Sequence, residues 1–226
     1  LGELSGQNPS NNPCHPECRE PEKLKLSNAR AASVSVVILT LDEEINIQAV
    51  FESLSDLAQE VFVVDSGSKD GTLEIAKKYG AQTLTHPFET HSKQWNWAFK
   101  NLPLSGEWVL ALDADQRLTP ELKDEIRSVL SASPKEVDGF YLCRRQIFRG
   151  RWIRHGGYYP KYLLKLFRRG KAYADEGELL DSHFYVAGKI KKLRWDLIEE
   201  NQKERDLHFW ISKHIRYASL QAEEEC

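Results

Sequence analysis

Two textures of hydrophobic and polar positions divide the chain, and the change comes near Pro134. In the first texture, short continuous apolar runs alternate with stretches whose apolar residues recur every three or four positions. Val34 to Thr40 is such a run and predicts a buried strand, after which Ile47, Val50, Phe51 and Leu54 recur at helical spacing. Val61 to Val64 predicts the second strand. Asp70 stands where it caps a helix over Thr72 to Tyr79 that Gly80 stops, and Thr83 to Thr85 predicts a short third strand. A helix over His91 to Leu102 and a buried strand over Trp108 to Leu112 come next. Thr119, with Pro120 at the first helical position, opens a helix that turns Leu122, Ile126, Val129 and Leu130 inward. Strands and helices in alternation predict an α/β fold, a parallel sheet with helices on both faces.

The second texture is aromatic and basic. Gly139 to Phe148 and Tyr162 to Arg168 read as strands, joined by a segment holding Gly156-Gly157, so this half is expected to be β-rich. Leu207, Trp210, Ile211, Ile215 and Ala218 then form one apolar stripe at helical spacing, an amphipathic C-terminal helix. Residues 1–30 mix Asn, Pro, Ser, Gly, Glu and Lys without apolar periodicity. They bury too little surface to offset the entropy of ordering and read as a disordered leader. The expected organisation is therefore one domain over 31–222, with a first half at 31–133 and a second at 134–222.

Composition narrows the function classes. With 226 residues, 41% of them hydrophobic and 29% charged, the chain is an ordinary globular protein, and a net charge of -3 argues against nucleic acid as a partner. The longest apolar run, Val34 to Leu41, falls far short of the roughly 20 residues that span a bilayer. Four scattered cysteines make no disulfide framework and suit a reducing cytoplasm. Cys14 and Cys18 have the look of half a zinc site, but no second pair stands at a spacing that closes it. Methionine is absent, even at position 1, so the sequence reads as one lacking its native start.

Chemistry concentrates where strands end. Leu110-Ala111-Leu112-Asp113-Ala114-Asp115 is a hydrophobic strand running out into two carboxylates separated by one residue. At the carboxyl end of a parallel strand, such a pair suits Mg²⁺ or Mn²⁺ held through oxygen ligands shared with a diphosphate. Two other strands end in acidic or hydroxyl-bearing turns, Thr40-Leu41-Asp42-Glu43-Glu44 and Val64-Asp65-Ser66-Gly67-Ser68-Lys69-Asp70-Gly71-Thr72. Asp65 follows a buried strand, and the small residues after it leave room for a base and ribose. Glu44 and Asp70 are read as helix-end residues and Asp65 as part of a substrate site; Glu43 stands between the two roles and is kept as a substrate candidate.

These motifs resemble the family 2 glycosyltransferases of GT-A fold, and within them the bacterial lipopolysaccharide core β-1,4-glucosyltransferase group. The likeness runs from about Val34 to Ala222 and continues through Gly150-Arg151-Trp152-Ile153-Arg154-His155-Gly156-Gly157, Leu166-Phe167-Arg168-Arg169-Gly170-Lys171-Ala172 and His214-Ile215-Arg216-Tyr217. The resemblance implies a GT-A, Rossmann-like, mostly parallel central sheet with a nucleotide-sugar half and an acceptor half. It further implies that Thr40, Asp42 and Asp65 meet uridine, Asp113 the ribose side of the donor and Asp115 the metal. Gln94 and Asn96 match a family stretch near the donor, but position 95 is Trp where the family usually has Arg, a departure that bears on a phosphate contact expected there.

An inverting transfer needs a general base near the acceptor hydroxyl. The candidates lie in Asp175-Glu176-Gly177-Glu178-Leu179-Leu180-Asp181, near where the family places a His-Glu pair; here Asp181-Ser182 stands in its place. Asp181 is favoured, with Glu178 and Glu176 as alternatives. Between Arg144 and Arg194, many lysines and arginines, Lys165 among them, interleave with Trp152, Tyr158, Tyr159, Tyr162 and Trp195. That mixture suits a phosphorylated sugar-lipid acceptor at an anionic membrane surface, contacted peripherally from the cytoplasm. Tyr158 and Lys165 are assigned to substrate on this ground. The expected reaction is transfer of a hexose, glucose above others, from a UDP-sugar to a saccharide. A metal-dependent nucleotidyltransferase would instead show a Gly-rich basic loop after the first strand. A decayed carbohydrate- or lipid-binding module is the non-enzyme alternative.

Overall fold

A computed structural model describes residues 33–132, 134–178 and 183–224. The leader, Cys14, Cys18 and Asp181 lie outside the described residues. The first texture folds as expected except for β5, a short strand the sequence pattern did not predict: β1 (Val34–Thr40), α1 (Glu44–Leu54), β2 (Glu60–Asp65), α2 (Thr72–Lys78), β3 (Gln82–Thr85), α3 (His91–Asn101), β4 (Trp108–Asp113), β5 (Gln116–Leu118) and α4 (Pro120–Ser131). Beyond it come β6 (Gly139–Phe148), β7 (Arg151–Trp152), β8 (Lys161–Arg168), β9 (Ala172–Ala174), β10 (Phe184–Val186) and β11 (Ile190–Glu199). A 3-10 turn (Gln202–Arg205) and α5 (Leu207–Glu224) close the order.

Among the described residues one sheet runs in the order β3-β2-β1-β4-β8-β6-β11-β5, with β7 appended to β6 and a separate β9-β10 ribbon. β3, β2, β1 and β4 are parallel. Beyond β4 the pairing is mixed, antiparallel to β8 and from β8 to β6, then parallel from β6 to β11. The two halves thus share one sheet, and β5 of the first closes its far edge against β11 of the second. Every residue of β1 is buried, as a central strand covered on both faces requires. Ile38, Phe51, Leu110, Leu122 and Ile126 pack on the face under α1 and α4. Phe62, Val109, Trp95, Phe167 and Phe184 pack on the face under α3.

Two irregularities in the second half matter for the site. Tyr141 pairs with Leu164 and Phe140 with Leu166, so Lys165 is an extra residue in β8. Such a bulge re-aims the side chain it carries. On β11, Lys192 pairs with Tyr141 and Asp196 with Cys143, leaving Leu193 to Trp195 opposite Leu142 alone. The Glu125 carboxylate of α4 takes the amide hydrogens that this loses, accepting from Arg194 N and Trp195 N. The apolar stripe of α5 faces outward: Leu207, Ile211 and Ile215 are exposed, while Trp210, Lys213, His214 and Tyr217 are half-buried toward the body. Trp210 lies against Phe148 at 5.7 Å between ring centroids. Among the described residues no helix is long and apolar enough to cross a membrane.

Candidate active site

In a doubly wound sheet the ligand crevice opens where the strand order reverses. Here that point lies between β1 and β4, because the chain winds outward from β1 through β2 to β3 and then returns to β4 on its other side. Thr40, Asp65 and Asp113 end the strands around it.

At the ends of β1 and β2 the acidic residues are tied into loops. Asp65 is fully buried, and its carboxylate accepts from Thr40 Oγ1 at 2.9 Å, Gly67 N at 2.9 Å, Ser68 N at 2.8 Å and Ser68 Oγ at 2.5 Å. Gly67 sits at φ +103°, a conformation the turn needs and L side chains rarely adopt. Asp42, itself left-handed at φ 53°, accepts from Lys69 N at 2.7 Å. Asp70 accepts from Thr72 N and from Glu44 N, and Glu44 answers by accepting from Gly71 N at 2.7 Å. Asp70 and Glu44 therefore cross-tie the starts of α1 and α2, a fuller role than the single cap the sequence suggested. Hydrogen bonds from Thr72 and from the Glu44 and Thr72 amides outweigh burial and hold the Asp70 carboxyl below its ordinary value. Glu43 bridges outward, accepting from Asn46 Nδ2 at 2.7 Å and from Lys203 Nζ at 2.5 Å.

The end of β4 is built differently. Lys165, delivered by the bulge in β8, is buried, with its ammonium beside the rings of Trp95 and Phe184. Lys165 Nζ donates to Asp113 Oδ2 at 2.8 Å. Burial alone would raise the Asp113 carboxyl, but the charge and hydrogen bond of Lys165, helped by His91 and Arg144, bring it below its ordinary value. Gln116 accepts from Asp113 N at 3.1 Å and donates to Glu199 Oε2 at 2.7 Å, fixing the turn that carries Asp115. Among the described residues no such donor is found for the Asp115 carboxylate. Burial and then the neighbouring charges of Glu199, Asp113 and Glu43 push it up to about 8, with Lys213 opposing. Beside it lies a cavity lined by Asn46, Val50, Arg117 and Glu200, so the carboxylate is not sealed in protein.

This donor set is all oxygen and short of positive charge, which is what a hard divalent cation requires. Among the described residues no three His, Cys, Asp or Glu side chains converge to hold an ion alone. Mg²⁺ and Mn²⁺ commonly bind through one or two carboxylates completed by substrate phosphates, so Asp113 and Asp115 fit a cation that arrives with a diphosphate.

The remaining candidates lie further along the face under α3. Gln94 is buried, donating to Ser66 Oγ and His86 O, and so braces the loop after β2. Asn96 clamps β9, exchanging hydrogen bonds with the Ala174 backbone, and donates to Glu176 Oε1 at 3.0 Å. Glu178 accepts from Tyr185 OH at 2.7 Å and His183 N at 2.8 Å; that bond lifts the Tyr185 phenol to about 12. Tyr158 is exposed on the segment between β7 and β8. Several members of the basic stretch are already engaged. Arg168 pairs with Glu107 and donates to Val137 O and Pro134 O, whereas Arg149, Arg151, Arg154, Arg169 and Lys171 are exposed.

Sequence reasoning missed Glu199 and Lys213, whose charges act on Asp115, and the pairing of Arg144 with Glu199. Arg144 Nη1 donates to Glu199 Oε1 at 3.0 Å. Ile190 to Glu199 carries a strand signal, but the bulge at Leu193 to Trp195 breaks its period of two.

Residues 35–196 match the family model of Glycosyl transferase family 2. The lipopolysaccharide core biosynthesis glycosyltransferase LpsC of Rhizobium meliloti is 28% identical over 209 residues, 85% of this chain and 71% of that protein. An uncharacterized glycosyltransferase of Rickettsia typhi is 35% identical over 99 residues, 44% of this chain, and the matched stretch spans only 33% of that relative's length. Among solved structures, Staphylococcus aureus TarS in complex with UDP-GlcNAc superposes with a TM-score of 0.54 at 19% identity, covering 77% of this chain and 61% of that one. Glucosyl-3-phosphoglycerate synthase of Mycobacterium tuberculosis superposes at 0.51 and 18% identity over 78% and 75%. At these identities the superpositions speak for the GT-A fold.

Proposed function

Because the chain belongs to glycosyltransferase family 2, we propose that it transfers a hexose, glucose in our reading, from a UDP-sugar to a saccharide acceptor with inversion at the anomeric carbon. The observation that carries this reading is the pair Asp113 and Asp115 at the switch-point end of β4, with Asp115 partly buried and crowded by Glu199, Asp113 and Glu43. Asp113 and Asp115 would hold Mg²⁺ or Mn²⁺ with the donor, and the ion would supply positive charge to the departing diphosphate. Lys165 keeps Asp113 ionised for that contact, and Gln116 holds the turn. Thr40, Asp42, Glu43 and Asp65 form the uridine side. Asp65 supports it through the loop it organises, since its oxygens already accept four hydrogen bonds. TarS, of the same fold, is solved with UDP-GlcNAc, which fits a uridine donor here.

The acceptor proton goes to a carboxylate of the segment before β10. Asp181 is our first choice, and Glu178 and Glu176 stand beside it. Glu178 already holds Tyr185 and His183, and Glu176 holds Asn96, so each has a structural duty that argues for Asp181. The acceptor in this reading is a lipopolysaccharide core or lipid-linked glycan. Tyr158 and the exposed Arg149, Arg151 and Arg154 meet its charged parts at the cytoplasmic face of an anionic membrane.

Incubation with Mn²⁺ and a panel of nucleotide sugars tests the donor, with UDP-glucose expected to be hydrolysed slowly and chelator to stop it. Absence of hydrolysis and of UDP binding would leave the decayed-module reading standing. Asp181→Asn, Glu178→Gln and Glu176→Gln, compared at saturating donor, test the base. The expected outcome is a fall of roughly 10²-fold or more in kcat for Asp181→Asn, with UDP affinity intact. Retention there with collapse in a neighbour reassigns the role.

A further inference from the structure

The basic stretch of the second half holds one arginine whose surroundings set it apart. Trp152 stands on β7 opposite Ile147, near the end of β6. Two guanidiniums lie over its ring, that of Arg145 at 4.4 Å from the centroid and that of Arg154 at 4.2 Å. Tyr159 meets the same ring edge-on at 4.9 Å. The two arginines differ in what else they touch. Arg145 spends Nε and Nη2 on Asp196 Oδ2, at 3.1 and 2.7 Å, and Tyr159 OH donates to Asp196 Oδ1 at 3.3 Å. Asp196 is buried, and its charge is matched by Arg145 within the cluster. Arg154 is exposed and, among the described residues, has no carboxylate or carbonyl to accept its hydrogens.

Stacking occupies the face of a guanidinium and leaves its five in-plane N–H groups free. Arg154 is thus an oriented fork with an uncompensated charge, the form of cation that grips an oxyanion through two parallel hydrogen bonds. Trp152 Nε1 is buried and meets no acceptor among the described residues, a second unspent donor of a kind that folded proteins rarely keep. A tight turn, His155-Gly156-Gly157-Tyr158, follows directly on Arg154 and fixes the course of the loop that presents it. Tyr158 N donates to His155 O at 3.5 Å, and Gly156 and Gly157 sit at φ +69° and +81°, the left-handed pair that a type I′ turn requires. The cluster also lies close to the crevice. Side chains alternate faces along β6, so Arg145 shares the α3 face with Tyr141, while Arg144 points the other way and donates to Glu199, which Gln116 ties to the Asp113 turn.

We propose that Arg154, held on Trp152, sets acceptor specificity by binding a carboxylate or phosphate carried by a sugar of the acceptor. The proposal rests on the reading of the chain as a saccharide-modifying transferase and narrows its acceptor to an acidic saccharide. A lipid surface is attracted by several diffuse cations, whereas a single stacked fork suits one discrete oxyanion. No bond is made or broken at this subsite; Arg154 selects and orients.

Saturation-transfer NMR titrations of the full chain, with Mn²⁺ and UDP present to fill the donor crevice, use glucuronate, glucose 6-phosphate and glucose as probes. Wild type is expected to bind the two acids roughly tenfold more tightly than glucose, and Arg154→Met to bind all three alike. Trp152→Leu removes the platform but leaves the charge, and should lose most of the preference; Trp152→Phe, which restores a ring, should recover it. Lys171→Met deletes one exposed charge elsewhere in the basic stretch and should keep the preference whole. The proposal falls if wild type binds the acids no better than glucose, if Arg154→Met keeps the preference, or if Lys171→Met lowers it as much. It falls as well if Arg154→Met leaves sugar binding untouched and instead releases the protein from phosphatidylglycerol vesicles, a result that assigns the cation to a membrane. UDP affinity is measured on its own, so failure of the transferase reading shows there, while the preference for acids stands or falls in the sugar titrations.

Discussion

Acidic residues end the two strands that flank β1, Asp65 on β2 and Asp113 with its companion Asp115 after β4, and the surroundings of Asp65 and Asp115 are opposite. Asp65 is fully buried and accepts four hydrogen bonds from its own loop and from Thr40. Asp115 is pushed up to about 8 by burial and then by three neighbouring carboxylates. A carboxylate whose acceptor sites are filled by backbone amides is a strut, because its free energy is already gained in folding. One that folding leaves in electrostatic deficit gains only when a cation arrives. The same residue type on the same edge thus divides into scaffold and receptor, and neighbours make the division.

The sharpest way to break this contrast is Asp115→Asn. If Asp115 is the receptor, UDP binding loses its dependence on Mn²⁺ and transfer falls on the order of 10³-fold. The metal-free protein should nevertheless melt higher than wild type, because a repelled charge has gone. A variant that melts lower would show Asp115 to be a strut like Asp65.

Next in size is Asp65→Ala, expected to cost roughly 2–4 kcal/mol of stability by stranding Thr40 and two loop amides, and to weaken uridine nucleotides through the loop. Asp70→Ala, which frees Glu44 N and Thr72 N at a more exposed site, should cost about 1 kcal/mol and weaken nucleotide less. Thermal melts paired with UDP titration decide the order. Nucleotide loss in a well-folded Asp70→Ala variant would exchange the two assignments.

The contrast also marks how far the sequence could be read. β1, β2 and β4 announce themselves because strands covered on both faces are nearly all apolar, and a carboxylate pair after such a run shows its own placement. The strut role of Asp65 was not legible, since its partners depend on how the Ser66-Gly67-Ser68 turn folds back. Glu199 and Lys213 reach Asp115 from 84 and 98 residues further along the chain. Their approach is set by β11 pairing with β6 and by α5 docking through Trp210, and no local pattern encodes either. Lys165 was visible as one cation in a basic stretch, but only the bulge in β8 reveals that it turns to Asp113. The stripe on α5 gave the helix but not its orientation, and the half-buried side holds Lys213 and His214 beside the aromatics.

The most selective effect is expected at Lys165, because it asks what the carboxylate pair lacks when no metal is present. Lys165 is buried and its ammonium is the nearest counter-charge to Asp113, which leaves one carboxylate of the pair compensated and the other not. Lys165→Met keeps the side chain's length and its contact with Trp95 and Phe184 but removes that charge. The metal-free variant should lose about 1–3 kcal/mol, since Asp113 would face Asp115 uncompensated at a partly buried site. Mn²⁺ should then return most of the loss, because the cation supplies to both carboxylates what the lysine supplied to one. The readout is the rise in melting temperature on adding Mn²⁺, expected to be several degrees larger in Lys165→Met than in wild type. An equal rise would mean that Asp113 does not share the ion and that Asp115 holds it with the diphosphate alone. A larger rise accompanied by weaker UDP binding would show that Lys165 also touches the donor, so that a single ammonium acts both as counter-charge in the empty site and as ligand in the filled one.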